Sequence, residues 1–309
     1  MKEASSQRII GTHEGEKHGP LIVVIGAMHG NEPAGVKAVS LALKMLEVEP
    51  ITNPDFIFHG KMIGLIGNLR AFQSQKRYID KDLNRLWTEE RVNRLRTEEP
   101  DLSEESEIKE LLDIIHQEIK NYKPTKLVIL DLHTTSSYGG IFSVVSHDKV
   151  SADLALEFHA PVITGLTDIL SGTSMHYFTT EHMGIDTVAL TFESGQHEEP
   201  KAVNRAIAAI INLLRALGCV DEDCVKNIHD EILITFSKNL PEIADLLFRY
   251  HIEPNEDFIM RPGFKNFQRV TEGETVADNQ YGEIKAETDG LILMPLYQKQ
   301  GNDGFFIVG

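Results

Sequence analysis

The chain has 309 residues and a formal net charge of −17. That acidity argues against nucleic acid and anionic membrane surfaces as partners, because both require a basic footprint. At 41% hydrophobic and 25% charged residues, the composition suits a soluble globular protein with room for a large core.

The amino terminus, MKEASSQRII, lacks the apolar centre of a signal peptide, and no run approaches the ~18 apolar residues of a membrane span. The expected location is cytoplasmic. Leu21–Ile25 reads as a buried strand, a short β-branched apolar run. Gly26, Gly30 and Gly35 then break it and are expected to let the backbone turn. Pro33 to Leu46 carries helical apolar spacing, with Pro33 where a missing N–H does no harm. Phe56–Ile66 reads as one or two strands, and Glu89–Tyr122 as charged and largely helical. Lys126–Leu132, Ile141–Val145 and Asp186–Phe192 are further strands, followed by a helix from about Pro200 to Leu217. Such alternation predicts an α/β fold: a mixed, mostly parallel sheet flanked by helices. Cys219 to Pro254 reads as helical. Short strands with frequent turn signals follow from about Phe258 and predict a small C-terminal β domain. The expected division is a catalytic domain over 1–220, then linker helices and the β domain over 221–309. Cys219 and Cys224 are too few for a disulfide framework and read as reduced thiols.

Polar residues cluster where predicted strands end, at AMHGNEPAG (27–35), LDLHTTSSYGG (130–140) and LTFESGQHEEP (190–200). Open α/β sheets place ligand crevices at such ends. His29, Glu32 and His133 are therefore candidates for one cluster. Two imidazoles and a carboxylate with an open fourth position are the donor set of hydrolytic zinc. Asp131, two residues before His133 and on the same side of a strand, could hold the ligand's outer ring nitrogen. Between 68 and 87, Arg70, Arg77 and Arg85 stand beside Asn68 and Asn84. In so acidic a chain this reads as an anion site, since arginine recognises carboxylates with a two-pronged donor set.

Together the stretches G-x-x-H-G-N-E, N-x-R-A-x6-R-Y-x-D-x-D-L-N-R, D-L-H-T-T and F-E-S-G resemble the succinylglutamate desuccinylase/aspartoacylase family, a branch of the zinc carboxypeptidase-like fold. The motifs span roughly residues 20–215, and the β tail suits that family's C-terminal domain. The resemblance implies one Zn2+ per chain on His29, Glu32 and His133. It implies Glu193 as general base, Arg77 as the group that polarises the scissile carbonyl, and Asn84 and Arg85 as binders of a substrate carboxylate. Aspartoacylases proper use a further arginine shortly before the catalytic glutamate. None stands between Ser171 and Glu193 here, where His176, Tyr177 and His182 are the polar residues on offer. His176 and Tyr177 are accordingly pocket candidates, Arg70 a further anion candidate, and His197 a neighbour of the site.

The function this implies is a zinc-dependent amidohydrolase acting on a small anionic N-acyl amino acid, with a homo-oligomer left open. A carboxypeptidase acting on a peptide or cell-wall fragment would share the metal and base but need a larger cleft. A non-catalytic small-molecule-binding homologue would be expected to have lost one of the four key residues, and all are present. The stretch ETDGLILMP is similar to the hairpin of biotinyl and lipoyl carrier domains, yet Pro295 and Leu296 stand after Met294 where the acceptor lysine would be. No G-x-S-x-G elbow supports a serine hydrolase.

Overall fold

The computed structural model of the chain describes residues 8–146, 148–221 and 230–309. In chain order the strands are β1 Ile9–Glu14, β2 Lys17–Gly26, β3 His59–Ile66, β4 Leu127–Thr135, β5 Phe142–Val144, β6 Val162–Thr164, β7 Thr187–Gln196 and β8 Ile243–His251. The tail adds β9 Ile259–Met260, β10 Gln268–Val270, β11 Thr275–Asn279, β12 Gly282–Lys285, β13 Gly290–Leu293 and β14 Asp303–Val308. The helices that frame the site are α1 Pro33–Thr52, α2 Leu69–Gln73, α3 Ser103–Tyr122, α4 Ser174–Tyr177 and α5 Lys201–Ala216.

Eleven strands form one sheet in the order β1-β3-β2-β4-β7-β5-β6-β8-β14-β13-β10. The central run β3-β2-β4-β7 is parallel, which buries both faces and explains the uninterrupted apolar sequences. Successive residues of β2 alternate faces. Ile22 and Val24 pack with Val39 and Ala42 of α1 and with Ala206 and Ile210 of α5. Leu21, Val23 and Ile25 pack with Trp87 and with Ile108, Leu111 and Ile115 of α3. The mixed sheet with a mostly parallel core and flanking helices is therefore the fold that the sequence pattern predicts.

Three local expectations need correction. Glu89–Tyr122 holds two helices, Glu89–Leu95 and Ser103–Tyr122, separated around Pro100, because the residue before a proline is pushed out of helical conformation. Within Cys219–Pro254, Ile243–His251 is a strand. Its Ala244, Leu246, Phe248 and Tyr250 repeat at period two, the spacing of a pleated strand, and pack inward. Gly26 and Gly30 do not make their turn through left-handed conformations. A Cβ on Gly26 would come within 2.6 Å of the Val36 nitrogen, and one on Gly30 within 2.2 Å of the Ala71 carbonyl carbon. They are glycine because neighbouring backbone passes too close, and the left-handed residue of that loop is Ala27, with φ 56°.

The C-terminal strands extend the main sheet. β8 pairs in parallel with β6, and β14, β13 and β10 follow antiparallel. A second sheet, β12-β11-β9, covers a small core of Val276, Ile292, Phe305 and Ile307. Consequently the turn between β13 and β14 reaches back over the ends of the central strands. No helix among the described residues is long and apolar enough to cross a membrane. Cys219 is a free thiol, buried, and its pKa is pushed up to about 12 by that burial. Cys224 lies outside the described residues.

Candidate metal centre and cleft

The loop after β2 carries His29 and Glu32, the end of β4 carries His133, and β7 carries Glu193 directly opposite His133 in the strand register. Glu32 is fixed at the first turn of α1, where its backbone N–H donates to the His29 carbonyl at 3.0 Å. Nδ1 of His29 lies 2.9 Å from Glu32 Oε1, and Nδ1 of His133 lies 3.2 Å from Glu32 Oε2. One donor atom from each of the three residues falls within 4.8 Å of the others, and all three side chains are buried.

Both outer ring nitrogens face carboxylates. His29 Nε2 is 3.1 Å from Asp82 Oδ1, and His133 Nε2 is 3.1 Å from Asp131 Oδ2. Asp131 is held in turn by the Ser174 hydroxyl, which donates to Oδ2 at 2.8 Å. The hydrogen bond from His29 Nε2 to Asp82 keeps the proton there and turns a lone pair at Nδ1 toward Glu32. Asp131, at ion-pair distance from His133 Nε2 though short of hydrogen-bond geometry, favours the same tautomer on that ring. Two lone pairs and a carboxylate pointing at one another repel unless a positive charge sits between them. The residues therefore fit a divalent cation, with the outer carboxylates that such sites use.

The electrostatics agree. Burial would raise the Glu32 carboxyl, yet the two histidines beside it hold it well below the usual range. Burial likewise opposes charge on His133, but Asp131 and then Glu32 raise its pKa well above the ordinary value. These carboxylates favour positive charge at His133, whether a proton or a cation carries it. Glu193 behaves oppositely: burial dominates and pushes its pKa up to about 8. Its Oε2 has no hydrogen-bond partner among the described residues. A carboxyl poised near neutrality and free to exchange a proton is suited to general acid–base work.

Arg77 projects into the same cleft. Its Nη2 donates to Asp82 Oδ2 at 3.1 Å, and its Nη1 lies 3.5 Å from Glu32 Oε1. Asn84 and Arg85 lie on a short 3-10 turn capped by Asp82, whose Oδ1 accepts from the Asn84 N–H at 2.9 Å. Asn84 Oδ1 accepts from the Ser174 N–H, which ties this turn to α4. His29, Glu32, Arg77, Asn84, Arg85, His133 and Glu193 all line one cleft. His197, whose Nδ1 is 2.7 Å from the Thr134 hydroxyl, stands beside it.

Three candidates lie elsewhere. Arg70, on α2, binds Glu107 and Glu110 of α3 at 2.8 and 3.1 Å, part of a network shared with buried Arg8. Its neighbours are acids of the scaffold, so its charge is already used. His176 has both nitrogens engaged, with the Thr173 hydroxyl and the Thr167 carbonyl, and opens onto a neighbouring depression. Tyr177 is buried, stacked on His182 and packed near Trp87. These two residues flank the turn that carries Ser174 and serve the packing beneath the cleft.

Several groups of the site escaped sequence reasoning. Asp82 was visible only as a second acid in Y-x-D-x-D-L-N-R, with nothing to show that it would meet His29. Gln298 Oε1, within hydrogen-bonding reach of Asn31 Nδ2 and His197 Nε2, comes from the β13–β14 turn. The backbone N–H of Arg77 donates to Gln300 of the same turn. The one available signal was a polar run, QKQGND, inside an otherwise apolar hairpin.

Residues 18–217 match the succinylglutamate desuccinylase/aspartoacylase catalytic domain. An "N-acyl-aromatic-L-amino acid amidohydrolase (carboxylate-forming)" of Xenopus tropicalis is 30% identical over 287 residues, which covers 85% of each chain. A "Probable aspartoacylase" of a Nostoc strain is 30% identical over 128 residues, 41% of this chain and 39% of that relative's length. Among solved structures, the product-bound ectoine utilization protein EutE (DoeB) of Ruegeria pomeroyi is similar with a TM-score of 0.63 at 18% identity, covering 96% of this chain and 86% of that one. A succinylglutamate desuccinylase/aspartoacylase of Rhodobacter sphaeroides gives 0.61 at 17%, covering 95% and 86%. At those identities the structural likeness shows the fold. With the family match spanning most of the chain and the cleft built from the same stretches, the protein belongs to the succinylglutamate desuccinylase/aspartoacylase family.

Proposed function

We propose that this protein is a zinc-dependent amidohydrolase that removes the acyl group from an N-acyl amino acid. The single observation that carries the reading is the buried His29–Glu32–His133 cluster, with its outer carboxylates, directly beside a carboxyl group of raised pKa. Zn2+, one per chain, suits two imidazoles and one carboxylate. Bound there, such a cation would supply Lewis acidity and bring the pKa of a water toward ~7.

The chain's own residues would do the rest. Glu193 takes a proton from the attacking water as its oxygen adds to the carbonyl carbon, and delivers that proton to the amine as the C–N bond breaks. Arg77, held by Asp82, faces the charge that develops on the carbonyl oxygen. Asn84 and Arg85 anchor the substrate carboxylate and orient the amide. The rest of the cleft wall mixes apolar side chains, among them Val144, Leu166, Leu170, Met175, Leu296 and Phe306, with hydroxyl and amide groups such as Thr134, Thr173, Gln298 and Asn302. The apolar part of that wall and the amidohydrolase likeness to the Xenopus protein support a substrate with one carboxylate and an apolar remainder.

The test is a deacylation screen of zinc-reconstituted protein against acetyl, succinyl and formyl amino acids, alongside peptides with varied C-termini. Release of the free amino acid from at least one N-acyl amino acid is expected. Turnover confined to peptides would replace the reading with a carboxypeptidase. Tight binding without turnover would replace it with a binding homologue.

A further inference from the structure

Asp303, the first residue of β14, lines the cleft among its charged groups. Its Oδ2 accepts from Arg85 Nη2 at 2.7 Å, and its Oδ1 accepts from Arg249 Nε at 2.7 Å, with His251 Nδ1 3.6 Å away. Arg85 also donates through Nη1 to the Asn84 carbonyl. Part of the guanidinium that would anchor a substrate carboxylate is thus already occupied by a carboxylate of the protein itself.

Asp303 is not free to swing away. It pairs with His251 in the β14–β8 register, and Phe305 and Phe306 behind it are buried. Burial alone would raise its carboxyl, but Arg85 and Arg249 outweigh that and hold it ionised below the usual range. Arg249 turns its own donors to Asp303 and the Ile169 carbonyl and is not among the residues lining the cleft.

The lysines and arginines that line the cleft, among the described residues, are Arg77 and Arg85. Arg77 faces Asp82 and Glu32, and Arg85 faces Asp303. Around them stand the carboxylates Glu32, Asp82, Glu193 and Asp303. Asp303 takes up one edge of the Arg85 guanidinium and is itself matched by Arg249 from behind, so one substrate carboxylate shares Arg85 with a carboxylate already in place. A second substrate carboxylate would meet no uncommitted lysine or arginine among the described lining residues, only neutral hydroxyl, amide and apolar groups and the fixed charge of Asp303. Discrimination of this kind works by repulsion as much as by fit.

From this arrangement we infer that Asp303 is a specificity-determining residue that rejects dicarboxylic substrates, so that the enzyme takes N-acyl amino acids with a single carboxylate. The inference rests on the deacylase reading above and narrows it.

The experiment compares N-acetylleucine with N-acetylaspartate on zinc-loaded wild type and Asp303→Asn, an exchange that keeps the shape and removes the charge. Wild type is expected to favour the monocarboxylate in kcat/KM, and Asp303→Asn to shrink that preference on the order of tenfold, mainly through a lower KM for the diacid. In parallel, both ligands are titrated calorimetrically into zinc-loaded Glu193→Gln protein, which measures binding without turnover and does not depend on how Asp303→Asn folds. Tighter binding of the monocarboxylate supports the inference. Equal or tighter binding of the diacid overturns it, as does an unchanged kcat/KM ratio in a folded Asp303→Asn. If neither amide is cleaved while the binding preference stands, the role of Asp303 survives, and the deacylase reading falls once the wider acyl screen is silent as well.

Discussion

Replacing Glu193 by glutamine should disable the enzyme and stabilise the cation-free protein at the same time. The carboxyl's pKa is pushed up to about 8 in the fold against an ordinary 4.5, because burial outweighs the support that His133 and Arg77 give its charge. An acid whose folded pKa is raised costs nothing below pH 4.5, where it is protonated in both states. As pH rises toward 8 the unfolded chain ionises first, so the fold loses stability throughout that window. At pH 7 the interval of 2.5 units from the ordinary value corresponds to about 3 kcal/mol at ~1.4 kcal/mol per unit. The glutamine would remove that cost but leave a buried amide without a partner, at about 1–2 kcal/mol. The net gain is about 1–2 kcal/mol, with roughly 2–4 °C in Tm for each. Calorimetric melts of chelator-treated wild type and Glu193→Gln at pH 5 and pH 8 read it directly. The variant should melt higher at pH 8, with the difference closing at pH 5. With zinc restored, kcat should fall ~10²–10⁴-fold while metal content is kept. A variant that melts lower at pH 8, or a difference that ignores pH, would refute the reasoning about this carboxyl.

Asp131→Asn should weaken zinc binding ~10–100-fold, the usual cost of losing the acid behind a ligand histidine, as read by competition with a chromophoric chelator. Arg77→Gln should lower kcat by ~10²–10³ with a smaller effect on zinc affinity, measured by steady-state kinetics. Arg70→Gln, by contrast, should leave KM for any substrate within about twofold and lower the denaturation midpoint, because it leaves buried Glu107 with less compensation.

The central sheet was legible because its parallel strands are buried on both faces and so read as unbroken aliphatic runs, as in Leu21–Ile25 and Leu127–Leu130. The strand ends were legible for the complementary reason: His29, His133 and Glu193 are polar residues at points where the apolar pattern stops. Pairings that join distant segments left no trace. Nothing local to Asp82 says that it will face His29, and nothing in QKQGND says that this turn folds across the cleft onto Arg77 and Arg85. Arg70 misled because spacing along the chain placed it with Arg77, whereas α2 turns it toward Glu107 and Glu110 of α3. His176 and Tyr177 misled in the same way: they follow Ser174, which does hold Asp131, but their own side chains face the other side of that turn.

The central claim is that His29, Glu32 and His133 share one divalent cation. Its most direct test is the metal content of the purified protein by mass spectrometry, before and after exhaustive chelation and zinc titration, for wild type and His133→Ala. The account predicts one zinc per wild-type chain, recovered on titration, and its loss in the variant. A folded wild-type protein that takes up no divalent ion, or a His133→Ala protein that binds zinc equally well, would contradict it.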